Sequence, residues 1–126
     1  MKFMKSLILI ALFVSTSAGV FAQKKADPVG TWSFHAPDAA YEYSKGDIVI
    51  GKEGKEYTAK IVYGESYELK GQNVVLEKDQ LTFKVYIEGE PINIKGTVTE
   101  ETINGTATYS EGTISFESER KKEEKQ

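Results

Sequence analysis

Cysteine is absent from the 126 residues, and histidine and tryptophan occur once each, as His35 and Trp32. A chain without cysteine forms no disulfide and carries no lipid anchor on a modified cysteine. One histidine without cysteine excludes the usual zinc ligand sets, so no metal and no other cofactor is expected. The same histidine has no serine to activate, since no Gly-x-Ser-x-Gly turn occurs. Positive charge is also short, with 16 Lys and Arg against 19 Asp and Glu. That balance argues against nucleic acid as a partner and against electrostatic docking on anionic lipid. Long apolar runs are lacking too. Leu7 to Val14 (LILIALFV) is the longest, well under the roughly 20 residues that span a bilayer.

That run follows a short basic start, Met1 to Lys5, and precedes small residues ending Val20-Phe21-Ala22. The order is that of a cleaved secretory signal, residues 1–22, cut after Ala22. Removing Lys2 and Lys5 takes the formal charge from -3 to -5. The remaining chain is expected to be exported, to the periplasm or outside the cell, with no membrane insertion after cleavage. A monomer is the default expectation. Residues 23–28 are polar, end in Asp-Pro and read as a flexible leader. Residues 121–126 carry mixed charge and no apolar side chain, and read as a disordered tail.

Between them, residues 29–120 alternate with a period of two, the signature of strands with one apolar face. The first strand, Val29 to Ala36, turns Trp32 and Phe34 to one face and His35 to the other. Pro37 ends it. The connection to Lys45 is the longest in the domain and holds Tyr41 and Tyr43; it suits a helical turn, a lid or a surface loop covering one end. Ile48 and Ile50 open a meander, followed by Tyr57, Ala59, Ile61 and Tyr63 on one face. Tyr67 to Leu76 is broken at Gly71-Gln72-Asn73, which fits one bulged strand or two short ones. Leu81, Phe83, Val85 and Ile87 then give the clearest inward row, against Thr82, Lys84, Tyr86 and Glu88 outward. Ile92 to Val98, Ile103 to Tyr109 and Ile114 with Phe116 repeat the pattern.

Strands recurring about every ten residues, with hairpin-length turns and no helical period, predict an all-β antiparallel up-and-down sheet. With only one apolar face per strand, closure buries that face and removes both edges. The prediction is therefore a closed barrel of about eight or nine strands, with a two-sheet β-sandwich as the alternative. Gly96 and Gly105 share the inward parity and are expected to leave space for a bulky neighbour such as Trp32.

Gly-x-Trp in the first strand (Gly30 to Trp32), a meander of short strands and a lone arginine closing the last strand resemble the calycins, the lipocalins and their smaller relatives. Ile-x-Gly-Thr-Ala (Ile103 to Ala107) and Phe-x-x-x-Arg (Phe116 to Arg120) are similar to small lipocalin-like modules of exported bacterial proteins. The Thr-Asp-Tyr element and the helix after the barrel of true lipocalins are lacking. Pro37 to Lys45 is too short for the helical pair that caps fatty-acid-binding proteins. The resemblance implies that Trp32 lies across the closed barrel end beneath Arg120.

The interior is the candidate site. Trp32, Phe34, Tyr57, Tyr63, Phe83, Tyr109 and Phe116 share the inward parity, and they either fill a narrow barrel or line an aromatic pocket open away from Trp32. His35 reads as a solvated strand residue. Glu100-Glu101 and Glu88 with Glu90 read as solvated turn residues rather than as a glycosidase pair. Asn104-Gly105-Thr106 matches a glycosylation sequon but reads as a piece of strand. No acid, base and nucleophile are assembled, so an enzyme is not expected. Two functions remain: a binding protein for a small apolar or amphipathic ligand, and an interaction module, an inhibitor or accessory subunit of an exported enzyme, with a filled barrel.

Overall fold

A computed structural model describes residues 26–122, so the signal at 1–22, residues 23–25 of the leader and residues 123–126 of the tail lie outside the described residues. The chain forms nine antiparallel strands: β1 (Gly30–His35), β2 (Lys45–Glu53), β3 (Glu56–Tyr63), β4 (Tyr67–Lys70), β5 (Gln72–Glu77), β6 (Gln80–Ile87), β7 (Glu90–Val98), β8 (Thr102–Tyr109) and β9 (Gly112–Arg120). One turn of 3-10 helix, Tyr41–Tyr43, interrupts the β1–β2 connection. Alternation drives this outcome. In β6, Leu81, Phe83 and Val85 are buried, whereas Tyr86 between Val85 and Ile87 is 43% exposed. Glu88 and Gly89 both take positive φ, 51° and 83°, between Ile87 and Glu90. A two-residue turn with that geometry matches the right-handed twist of the strands it joins.

All nine strands lie in one sheet, in the order β4-β3-β2-β1-β9-β8-β7-β6-β5. First and last strands are hydrogen-bonded neighbours, with Trp32 opposite Arg120 and Phe34 opposite Ser118. This continuity makes a nearly closed barrel, and the two-sheet sandwich is set aside. The lips of the sheet, β4 and β5, are consecutive in sequence and run the same way. β4 pairs with β3, then the chain bends at Gly71 and β5 pairs with β6. One bent run thus serves both lips.

Gly71 makes the bend possible. Its N–H donates to the Ala59 carbonyl of β3 at 2.8 Å. A Cβ there would sit 2.8 Å from that same carbonyl oxygen and 3.0 Å from the Phe83 ring. Beyond it, Asn73 adopts φ 54° and the β5–β6 register shifts between Gln72 and Val75. Two short strands joined by a bend therefore replace the single bulged strand.

Gly96 and Gly105 are needed for a different neighbour than expected. A Cβ on Gly96 would meet Ile103 at 2.7 Å and Phe116 at 3.4 Å; one on Gly105 would meet the backbone of Lys95 and Gly96. Trp32 is not among these contacts. The two glycines face each other across β7 and β8, and their bare backbones let those strands pack under Phe116. No helix among the described residues is long and apolar enough to cross a membrane.

Candidate functional site

The barrel has one plugged end and one open end. At the plugged end Trp32 is 0% exposed, and its Nε1 donates to the Pro28 carbonyl at 3.0 Å. The Arg120 guanidinium lies over the indole, 4.2 Å from its centroid. It also donates to three carbonyls: Nε to Glu100 at 3.0 Å, one terminal nitrogen to Val29 at 3.0 Å, the other to Asp27 at 2.7 Å. A planar fork supplies donors in several directions while its face stacks on a ring, which an ammonium cannot do. Asp27 and Pro28, assigned to a flexible leader from sequence, are thereby fixed, and Pro28 is fully buried. Lys121, assigned to the tail, donates its N–H to the Thr31 carbonyl and pairs through Nζ with Asp47 at 3.1 Å. The leader and tail assignments miss these residues because backbone carbonyls, invisible in composition, hold them.

The other half of the interior contains a cavity of about 310 Å³. Phe34, Ile48, Ile61, Val85, Ile94 and Phe116 form its inner wall. Tyr43, Tyr63, Tyr109, Glu88 and Glu90 bring phenols and carboxylates to it. Of the seven interior aromatics, the structure brings four to this cavity: Phe34, Tyr63, Tyr109 and Phe116. The expectation that Trp32, Tyr57 and Phe83 line the same space is corrected. Trp32 fills the plugged end, Phe83 is packed beneath the bend at Gly71, and Tyr57 lies near the start of β3 with Lys52 Nζ 4.8 Å from its ring centroid. Inward parity gives the face of a strand but not the height along the barrel, and height decides which side chains plug and which line.

Tyr63 is the centre of an aromatic group at the open end. Its ring meets Phe34 edge-on at 5.9 Å and Tyr43 edge-on at 5.2 Å, and stacks on Tyr67 at 6.0 Å. Edge-to-face and offset arrangements are those that aromatic quadrupoles favour. Burial, then the neighbouring Tyr43 and Tyr67, push the Tyr63 phenol above the ordinary tyrosine range. Tyr43 is raised as well, by desolvation first and then by Tyr67 and Glu88. Both phenols therefore stay neutral and keep their donor proton at any physiological pH. Across the opening, Glu90 accepts from the Ser110 N–H at 2.8 Å and from the Ser110 hydroxyl on the same oxygen, Oε2. Those bonds hold its carboxyl below the usual range and keep it ionised.

Sequence reasoning assigned Tyr43 to a covering loop and both glutamates to solvated turns. The 3-10 turn brings Tyr43 against Tyr63, although Tyr41 in the same turn is 92% exposed. The two-residue turn at Glu88-Gly89 makes Glu90 the first residue of β7, with the inward parity of Ile92 and Ile94. That parity was available in the sequence, but reading Glu90 as a turn residue conceals it. His35 is exposed on the outer face, opposite Lys45 in the β1–β2 ladder. Among the described residues no group of three or more His, Cys, Asp or Glu side chains is arranged to hold a metal ion.

No protein-family model matches the chain, and no curated protein matches it. Among solved structures it is similar to a redesigned beta barrel, with a TM-score of 0.51 and 14% sequence identity over 75% of this chain and 91% of that one. At that identity the likeness concerns the fold alone: a nearly closed antiparallel barrel.

Proposed function

We propose that this chain is an exported, non-catalytic, lipocalin-like barrel that binds one small apolar or amphipathic ligand in the open half of its interior. The cavity of about 310 Å³ carries the reading. It is at the small end of the roughly 300–1,000 Å³ that ligand pockets occupy, and it has the usual apolar wall with a few polar groups to orient what enters. A barrel filled by its own side chains would leave no such space. The arrangement of Trp32 under Arg120 at the plugged end supports the calycin resemblance, and the basic-then-apolar start of the chain supports export. The exposed outer position of His35 supports a non-catalytic role, since the histidine does not line the cavity.

A neutral fluorescent probe, N-phenyl-1-naphthylamine, tests the reading. One saturable site is expected, lost in Ala107→Phe, which fills the cavity, while that variant still melts cooperatively. A non-saturable signal, or one indifferent to Ala107→Phe, would sink the proposal. Tyr41, 92% exposed beside the opening, favours a second reading, in which the 37–45 loop docks on an exported protein partner. Retention of a partner by the intact chain and its loss in Tyr41→Ala would support that alternative.

A further inference from the structure

The ionisable groups that reach the cavity are of one kind. Tyr43, Tyr63, Tyr109, Glu88 and Glu90 line it, and no lysine, arginine or histidine does. His35 and Lys45, opposite one another in the β1–β2 ladder, are both exposed. Lys84 lies outside as well, 5.9 Å from the Tyr86 ring centroid.

We propose that the cavity selects an apolar amine, bound as its ammonium ion, over the carboxylate of the same chain length. The proposal rests on the ligand-binding reading above and adds the charge of the ligand's polar end. An ammonium carries three donors and no acceptor. Glu90, which lines the cavity, presents a carboxylate whose Ser110 bonds both fall on Oε2, so Oε1 keeps its acceptor capacity. Glu88 adds a second negative charge in the adjacent turn. The three tyrosine rings offer negative faces, and a cation within about 6 Å of such a face is attracted, more so when partly desolvated. A carboxylate would meet two like charges and no cationic partner, having given up its water.

An opposite charge replaced by a like charge at roughly 10 Å in a medium of effective dielectric about 20 changes affinity by at least about tenfold. Calorimetric titration of the full chain with octylamine, octan-1-ol and octanoate near neutral pH separates the terms. Octylamine is expected to bind tightest and octanoate weakest, about tenfold or more apart. In Glu88→Gln with Glu90→Gln that gap should shrink while octan-1-ol affinity stays the same. Octanoate binding as tightly as octylamine, or a gap untouched by the double substitution, would overturn the amine preference and leave the cavity reading standing. If none of the three binds to folded protein, both proposals fall together.

Discussion

Arg120 touches the first strand, the segment before it and the β7–β8 turn at once, so its replacement should be costly for a half-exposed residue. In Arg120→Ala the carbonyls of Asp27, Val29 and Glu100 lose their donors and the indole face of Trp32 is uncovered. Those carbonyls are near solvent and can recover water, so each bond is counted at roughly 0.5–1.5 kcal/mol rather than at the cost of a buried orphan. The stacking contributes about 0.5–2 kcal/mol. A loss of about 3 kcal/mol follows, with a fall in Tm of roughly 12–24 °C for a domain of this size. Lysine restores the charge and one bond but neither the fork nor the stack, so Arg120→Lys should keep less than half of the stabilisation. Urea melts with an unchanged m-value would measure both. If Arg120→Lys falls within about 0.5 kcal/mol of the parent, the fork and stack contribute nothing and the reasoning fails.

The remaining predictions concern the core and the tyrosines. Phe83→Ala, at a site 3% exposed, should cost about 3–5 kcal/mol in denaturant melts, and Lys84→Ala on the opposite face less than about 0.5; equal costs would mean a wrong face assignment. Tyr63 has a raised folded pKa, so its stabilising contribution is complete below the unfolded value near 10 and declines as pH rises above it. Stability measured from pH 9 to 12 should therefore fall, and less steeply in Tyr63→Phe; identical slopes would remove Tyr63 from the explanation.

The period-two rows made the strands, their inward faces and the barrel legible, because a strand that buries one face must alternate and eight or so such strands must close. The Trp32–Arg120 pairing was reachable through closure and the calycin resemblance. The site was half legible. Phe34, Tyr63, Tyr109 and Phe116 follow from parity, but the separation of a plugged half from a hollow half depends on side-chain heights that no spacing encodes. Glu90 was hidden by its reading as a turn residue, and Tyr43 by a connection whose 3-10 turn has no apolar period to announce it. The fixing of Asp27, Pro28 and Lys121 rests largely on main-chain carbonyls, which every sequence possesses alike.

The pairing of β1 with β9 also has a kinetic side. Every other ladder joins strands adjacent in sequence, but this one joins Trp32 to Arg120 across the whole domain. Contacts of such long sequence separation pay the loop-closure entropy first and are rewarded last, which slows folding. During synthesis β1 can pair with β2, but its other edge has no partner, and Trp32 lacks its Arg120 cover, until the ninth strand is available. The β1–β9 seam cannot form before the final strand is available, so closure of the barrel is a late step of folding. For a protein proposed to be exported, a seam that needs the last strand would delay barrel closure until the whole domain has been made.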